Sequence, residues 1–203
     1  MLTKPKSGIL FVVSSPSGGG KTTLTQRLAQ QDAQVFLSVS VTTRPKRPSD
    51  IEGKDYHFIT QEVFKESARK GAFLEESENF GHFYATPKDP VLKALTEGRD
   101  VLLALDIRGY RTIKEQFPLD VVGIFLLPPS LEVLKQRLFA RGKEKTRDQR
   151  LAEALPQIRS YCEYNYCIVN DDLAQATETS RAIIKAERNR PARLHGLEDL
   201  LKE

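Results

Sequence analysis

Short apolar runs recur along most of the chain and are separated by helix-like patterns. Four runs are nearly continuous in Val, Ile, Leu and Phe: Ile9–Val13, Val101–Leu105, Val121–Leu127 and the shorter Cys167–Val169. Runs without polar alternation are typical of strands buried on both faces of a parallel sheet. Because helical patterns alternate with these runs, the sequence predicts a doubly wound α/β fold with a parallel sheet. The predicted helices are Thr22–Gln31, Pro90–Glu97, Arg108–Gln116, Ser130–Ala140 and Ala174–Arg188.

Two segments interrupt this alternation. Residues 38–87 are richer in polar and aromatic side chains, and we expect them to form a small mixed α/β subdomain inserted into the core. Its predicted elements are strand-like pieces at Tyr56–Ile59, Phe73–Glu76 and His82–Ala85 and a helix at Gln61–Arg69. Residues 143–150 are a charged stretch that is either a lid over a phosphate site or a solvated loop. The core is then predicted to comprise residues 1–37, 88–142 and 151–203.

Composition narrows the class of protein. The chain has 203 residues, enough for one domain with a sizeable core, and its apolar fraction of 39% argues against disorder. Lys and Arg number 31 against 27 for Asp and Glu, which gives a net charge of +4. That surplus suits a binder of small phosphorylated ligands and does not require nucleic acid. The two cysteines, Cys162 and Cys167, exclude a disulfide scaffold, and we expect free thiols near the core.

The apolar runs are also too short for membrane or secretory segments. None approaches the ~18 residues of a membrane span, and Ile9–Val13 is shorter than the ~7–15 residues that a signal peptide requires. We therefore expect a cytoplasmic protein, a monomer or a homodimer, that binds neither membranes nor nucleic acid.

A glycine-rich loop follows the first apolar run and opens a helix: Ser15-Pro16-Ser17-Gly18-Gly19-Gly20-Lys21-Thr22. It matches the phosphate-binding pattern G-x-x-x-x-G-K-[ST] except that Ser15 replaces the first glycine. Glycines let the backbone curl around a phosphate with its N–H groups inward, and the helix N-terminus adds its dipole. The pattern predicts a three-layer P-loop NTPase core in which Lys21 reaches the β- and γ-phosphates of ATP and the Thr22 hydroxyl suits Mg²⁺. A flexible turn before a surface lysine is the alternative.

Seven further stretches resemble guanylate kinases, in the order in which that family carries them. They are SVSVTTRPKRP, EGKDYHF, FLEE, FYATP, LDIRG, RLFARG and IVNDDL, and the resemblance covers the chain from about Gly8 to about Leu173. It implies an enzyme that transfers the γ-phosphoryl group of ATP to GMP, with Mg²⁺, giving ADP and GDP.

Basic side chains gather at the start of the predicted subdomain. Arg44 and Arg47 are three apart in a loop, with Tyr56 downstream, and guanidinium forks and phenol hydroxyls suit a phosphate group. Standing alone, this run is equally typical of a basic surface patch or a nucleic-acid contact. The resemblance implies that Arg44, Arg47, Tyr56 and Tyr84 bind the GMP phosphate and that Arg44 and Lys21 are catalytic.

Glu75 is the candidate reader of the base. A carboxylate can accept from both the N1–H and the 2-amino group of guanine, a donor pair that adenine lacks. A lone glutamate on an edge strand is usually an exposed acid, which is the alternative. The resemblance implies that Glu75 reads guanine, with the hydroxyls of Ser40 and Thr86 on the other polar atoms of the base.

Asp106 is the candidate acid for the metal. It follows the second apolar run, and ligands of α/β sheets bind at the carboxyl ends of the strands. It therefore suits magnesium-bound water, and an N-cap for the helix beginning near Arg108 is the alternative. Guanylate kinases commonly carry a second acid two residues earlier, where this chain has Ala104.

Three arginines are candidates for stabilising the transferred phosphoryl group. Arg137 and Arg141 are four apart and share one helical face, and Arg150 lies across the charged stretch. Surface arginines on helices are common, so the catalytic role rests on the resemblance. The same resemblance makes Asn170 an ATP-binding residue, whereas its sequence context alone indicates a turn and a helix N-cap.

Two other functions are compatible with parts of the pattern. One is a related P-loop kinase with another acceptor, such as a phosphorylated ribose, and the guanine-facing residues oppose it. The other is a non-catalytic scaffold module of guanylate-kinase-like type, which the intact phosphate loop and the arginines oppose.

Overall fold

Two sheets and seven α-helices make up the part of the chain that the computed structural model describes, residues 7–79, 81–118, 120–139 and 147–193. In chain order the elements are β1 (Leu10–Ser14), α1 (Lys21–Gln31), β2 (Val35–Leu37), β3 (Val41–Thr42), β4 (His57–Phe58), α2 (Gln61–Arg69), β5 (Phe73–Asn79), β6 (His82–Pro87), α3 (Lys88–Thr96), β7 (Asp100–Ala104), α4 (Ile107–Gln116), β8 (Val121–Leu127), α5 (Leu131–Phe139), α6 (Arg147–Arg159), β9 (Tyr166–Val169) and α7 (Leu173–Arg188).

The larger sheet has five parallel strands in the order β2-β7-β1-β8-β9. The parallel α/β fold predicted from the apolar runs is confirmed, and each predicted strand of this sheet ends within one residue of the observed bounds. Strand β2 was not predicted, because three residues are too few for a periodicity to be read.

Both faces of this sheet are covered, which explains why its strands are continuously apolar. On one face Phe11 and Val13 pack with Leu24 and Leu28 of α1 and with Ile184 of α7. On the other face Leu10 and Val12 pack with residues of α3 and α4, among them Val91, Tyr110 and Ile113. Successive residues of a strand point to opposite faces, so the middle of a strand that serves two cores is apolar, and polar residues stand at strand ends, as Ser14 of β1 and Asp100 of β7 do.

The second sheet lies in the inserted segment and has the order β4-β3-β6-β5. Strands β5 and β6 are antiparallel, β3 pairs antiparallel with β6, and β4 pairs parallel with β3. Helix α2 covers this sheet through Phe64, which is buried with Val41 and Ala85 and stacks on Phe83. This mixed arrangement gives the segment a small core of its own.

The charged stretch and the two cysteines differ in part from what the sequence predicts. Helix α6 begins at Arg147, so residues 147–150 of the charged stretch are helical, and residues 143–146 lie outside the described residues. Cys162 and Cys167 are free thiols, as expected, but both are exposed rather than near the core. None of the helices in the described ranges is long and apolar enough to cross a bilayer.

A buried carboxylate ties the amino edge of the larger sheet to the last helix. Asp100, at the start of β7, accepts from the backbone N–H of Ile9 at 2.9 Å and from Nε of Arg188 at 2.6 Å. Arg188 also pairs with Asp32 at 2.9 Å, just after α1. The Asp100 side chain is only 6% exposed, so this carboxylate depends on both donors.

We expect Asp100→Ala to lower the free energy of unfolding by about 3 kcal/mol, because it leaves the Ile9 amide and Nε of Arg188 without their acceptor, while Arg188 keeps only its pair with Asp32. Urea denaturation measures the loss. Asp100→Asn is the matched control, since it keeps an acceptor for Ile9, and it should cost distinctly less. Equal effects of the two variants would show that the ion pair, not the amide bond, dominates.

Candidate active site

A cavity of about 620 Å³ opens at the carboxyl edge of the larger sheet, between the glycine-rich loop and the smaller sheet. Most sequence-predicted site residues line it: Ser15, Pro16, Ser17, Gly18, Gly19, Gly20, Lys21, Thr22, Ser40, Arg44, Arg47, Tyr56, Glu75, Tyr84 and Asp106. Candidates as far apart in the chain as Ser15 and Asp106 therefore share one space. Thr86, Arg137 and Asn170 do not line it.

The glycine-rich loop has the geometry of a phosphate cradle. Gly18 and Gly20 adopt φ values of 86° and 96°, in the left-handed region that residues with a side chain rarely occupy. Helix α1 begins at Lys21, and its N-cap, Gly20, provides no side-chain acceptor for the free N–H groups of the first turn. Those N–H groups need an acceptor, and an anion at a helix N-terminus supplies one.

Lys21 crosses from the loop to the neighbouring strand. Its Nζ donates to the carbonyl oxygen of Leu105, just after β7, at 3.0 Å. Burial lowers the pKa of the Lys21 ammonium, while the charges of Asp106 and Glu75 oppose that shift. The lysine thus lies beside two carboxylates at the carboxyl edge of the sheet.

Asn170 and Arg137 support the loop from outside the cavity. The buried side-chain amide of Asn170 donates Nδ2–H to the backbone carbonyl oxygen of Gly19 at 2.9 Å. Arg137 donates to the backbone carbonyl oxygen of Asn170 at 3.2 Å. A side chain at Gly20 would be strained by the φ of 96° and would also meet Asn170 Nδ2, so glycine suits this position. The side chain predicted to contact ATP is therefore occupied in shaping the loop that would hold its phosphates.

The basic end of the cavity is organised around Asp50, which the sequence reasoning missed. Asp50 pairs with Arg44 at 2.8 Å and accepts from the backbone N–H of Arg47 at 2.7 Å. Burial would raise the pKa of Asp50, but the bonds from Arg47 and Arg44 outweigh it and lower that pKa. The Arg44 guanidinium also lies 5.5 Å from the centre of the Tyr56 ring, which contacts Tyr84 edge to face. An acid six residues after Arg44 in the same loop was the available signal.

Glu75 is buried on β5 and is only 5% exposed, so the exposed-acid alternative is wrong. Its Oε1 accepts from the Thr86 hydroxyl on β6 at 2.7 Å. Burial raises the pKa of Glu75 to about 7, with the Thr86 hydrogen bond and Lys21 opposing and Asp106 contributing. Thr86, predicted to contact a base, is fully buried and bonds to Glu75 instead of lining the cavity.

Asp106 caps α4, as the structural alternative anticipated, and also lines the cavity. Its carboxylate accepts from the Gly109 amide at 3.0 Å and from Asn79 Nδ2 at 2.8 Å, and it pairs with Arg108 at 3.1 Å. Burial would raise the pKa of Asp106, but the Gly109 and Asn79 bonds and the charges of Lys21 and Arg108 lower it. Asn79 was not predicted, since an amide at a strand end carries no recognisable pattern.

Two predicted arginines cannot be placed. Arg141 lies outside the described residues, and Arg150 is in the first turns of α6 with its side chain outside them. Their catalytic role stays a prediction.

Comparisons with known proteins agree along nearly the whole chain. A family model described as guanylate kinase matches residues 7–187. The guanylate kinase of Rhizobium etli is 44% identical over 200 residues, covering 98% of this chain and 91% of that protein, and the one of Symbiobacterium thermophilum is 46% identical over 195 residues, covering 95% and 92%. The crystal structure of guanylate kinase from Anaplasma phagocytophilum superposes with a TM-score of 0.83 at 33% identity, covering 98% of this chain and 96% of that one.

The raised pKa of Glu75 predicts a pH-dependent cost in stability. Because the folded pKa of about 7 lies above the ordinary 4.5, Glu75 favours folding most below pH 4.5, and this contribution is lost as the pH rises through 7. The shift corresponds to about 3 kcal/mol. Glu75→Gln, which does not ionise, should exceed the wild type in unfolding free energy at pH 8 by about that amount and converge with it near pH 4.5. Denaturant titrations without nucleotide measure this, and parallel pH profiles would contradict it.

Proposed function

We propose that this chain, which belongs to the guanylate kinase family and is an ATP:GMP phosphotransferase, holds ATP on the glycine-rich loop and GMP between the two sheets, within the cavity at the carboxyl edge of the larger sheet. The observation that carries this proposal is the convergence of the loop, the Arg44 cluster and the buried Glu75 on a single space. In such an arrangement the acceptor phosphate and the γ-phosphate of ATP can meet end to end.

On the ATP side, the backbone N–H groups of the loop and the N-terminus of α1 would receive the phosphates. The Lys21 ammonium would donate hydrogen bonds to the β- and γ-phosphates, either in place of its bond to the Leu105 carbonyl oxygen or in addition to it. Asn170 would act indirectly, because its side chain holds the Gly19 carbonyl and so the shape of the loop that binds the phosphates. Arg137 lies on α5, whose Leu134 and Leu138 lie next to Gly18, and this proximity supports its action on the phosphates together with Arg141 and Arg150.

On the GMP side, Arg44, Arg47, Tyr56 and Tyr84 would bind the phosphate. Asp50 would fix the orientation of Arg44 from within the same loop, so little side-chain entropy would be lost when the phosphate binds. Glu75, once ionised, would accept from guanine N1–H and the 2-amino group, and Ser40, which also lines the cavity, would supply a hydroxyl to the base. Thr86 would contribute by orienting Glu75.

The reaction requires no covalent bond to the protein. An oxygen of the GMP phosphate attacks the γ-phosphorus, the bond to the bridging oxygen of ADP breaks, and GDP and ADP result. Lys21 and the arginines would stabilise the charge that spreads over the transferred oxygens. We propose that residues 38–87 form the GMP-binding subdomain and residues 143–150 the lid, and that their closure excludes water that would otherwise hydrolyse ATP.

Guanylate kinases are ATP-using enzymes that generally need a divalent metal ion, and we propose Mg²⁺. Oxygen donors fit this ion: the Thr22 hydroxyl stands at the start of α1, and the Asp106 carboxylate has a lowered pKa and faces the same cavity. When bound, Mg²⁺ would neutralise phosphate charge. Thr22 and Asp106 would hold it, Asp106 through bound water.

The substrates ATP and GMP are small cytoplasmic metabolites, and this supports a cytoplasmic enzyme. We propose a monomer or homodimer that acts on neither nucleic acid nor membranes, consistent with a net charge of only +4.

The proposal is tested by the choice of acceptor. Wild-type kcat/KM should favour GMP over AMP by about 10⁴-fold, because AMP leaves the buried Glu75 carboxylate facing an acceptor nitrogen. Glu75→Gln should lower kcat/KM for GMP by about 10²-fold or more, because the donor N–H₂ of its amide would face the donors of guanine. The preference for GMP over AMP should therefore become smaller. A coupled ADP-release assay measures both. Glu76→Gln is the matched control, an exposed neighbour on β5 that should change nothing; equal use of AMP and GMP by the wild type would refute the acceptor assignment.

The metal role of Asp106 is separable from its cap. Asp106→Asn keeps an acceptor for the Gly109 amide, so the melting temperature should fall little, while kcat drops and the Mg²⁺ concentration needed for half-maximal rate rises. Asp172→Asn is the control, because Asp172 caps α7 in the same way, accepting from Gln175 N–H at 2.8 Å, but does not line the cavity. Rates measured against Mg²⁺ concentration decide the matter. Identical magnesium curves for both variants would reduce Asp106 to a cap.

A further inference from the structure

Gly109 occupies the first turn of α4 at a point where a side chain has no room. A Cβ built there would lie 2.7 Å from Oε2 of Glu75, 3.2 Å from its Cδ and 3.3 Å from Cβ of Leu105. The residue is helical and does not have a positive φ, so its backbone conformation does not require glycine. Glycine is a poor helix former, and its use inside a helix calls for another reason. The approach of Glu75 supplies that reason.

A second contact holds the Glu75 carboxylate from the side of β6. Oε1 accepts from Thr86 at 2.7 Å, and both residues are buried. Strand β5, which carries Glu75, is joined to α4 a second time, because Gln116 donates Nε2–H to the Leu74 carbonyl oxygen at 2.7 Å. The open direction for a displaced carboxylate is away from α4, toward the cavity that Glu75 lines.

Gly109 also contacts the other carboxylate of the site. Its backbone N–H donates to Oδ1 of Asp106 at 3.0 Å. The same residue therefore fixes Asp106 through its amide and admits Glu75 through its missing side chain. Through these two contacts, Gly109 links Glu75 to Asp106, which follows the end of β7.

We propose that Gly109 is a positioning residue for base recognition: the absence of a side chain lets the Glu75 carboxylate sit against the first turn of α4, and this sets the depth at which a purine edge is read. The inference rests on the proposed function, in which Glu75 accepts from guanine. A methyl group at position 109 pushes the carboxylate into the space that the base needs.

The effect falls on binding more than on folding. The atom nearest to the added methyl group is the end of the Glu75 side chain, which can turn toward the cavity, whereas Cβ of Leu105 at 3.3 Å has to give by only a few tenths of an ångström. Alanine is also the better helix former, which offsets that small adjustment. A merely structural glycine, replaced where backbone or core atoms are in the way, lowers stability instead. Gly109→Ala thus separates the two roles.

Nucleotide-binding titrations and thermal melting of the full chain test the proposal. Gly109→Ala should raise the Kd of GMP by about tenfold or more, the loss expected when a charged hydrogen-bonding group is displaced. The Kd of ADP should not change. The melting temperature without nucleotide should stay the same or rise. Glu115→Ala, on the exposed part of the same helix, is the control and should leave both affinities unchanged.

A pair of second-site variants identifies the contact. Glu75→Asp withdraws the carboxylate by one methylene, so adding Gly109→Ala to it should cause no further loss of GMP affinity. Glu75→Gln keeps the length, so in that background Gly109→Ala should still shift the side chain and reduce any residual GMP binding. Should Gly109→Ala alone fail to fold, the proposal requires that Gly109→Ala with Glu75→Asp fold again.

Three outcomes overturn the proposal: an unchanged GMP Kd in Gly109→Ala, additive losses with Glu75→Asp, or an unfolded protein that Glu75→Asp does not rescue. Failure of the proposed function looks different, because the wild type itself would not bind GMP. In that case the melting temperatures of the single and double variants without nucleotide still decide whether Gly109 makes room for Glu75.

Discussion

Strand β1 is buried along its whole length, and the rest of the molecule is arranged by that constraint. Its two faces belong to two different cores, and it lies at the centre of the sheet, where β7 and β8 run parallel to it. The chain leaves β1 at the carboxyl edge of the sheet, where the glycine-rich loop turns back into α1. The same edge receives the ends of β7 and β9, and it is there that the loop meets Leu105 and Asn170.

Around this edge, polar groups are held by protein partners before any nucleotide arrives. Asp50 holds Arg44, Asn170 holds the carbonyl of Gly19, and Thr86 holds Glu75. Each bond reduces the number of orientations that a binding group must lose, which is the usual advantage of preorganisation. The geometry of the cavity is thus set by residues behind its wall as much as by residues in the wall.

Glu75 shows the cost of that arrangement. A carboxylate with a pKa raised to about 7 is poorly solvated when ionised, and it lies near Asp106 and Lys21 in the same small volume. Burying it weakens the empty fold at neutral pH, yet a desolvated acceptor discriminates strongly between a base with two facing donors and one without them. Stability and selectivity therefore make opposite demands on one side chain, as they often do at binding sites.

The sequence by itself determined the α/β fold, the phosphate loop and the family, because each is written in local order: continuous apolar runs, a glycine-rich turn before Gly20-Lys21-Thr22, and short motifs in a fixed succession. It also supplied most residues of the cavity. Only the tertiary structure decided which side chains face the cavity and which face one another. Thr86 bonds to Glu75, and Asn170 bonds to Gly19. Asp50, Asn79 and Gly109 contact Arg44, Asp106 and Glu75, which the sequence had already indicated. A hydrogen-bond partner 151 positions away, or a gap that a missing methyl group leaves, has no signature in one dimension, because it exists only where separate elements pack together.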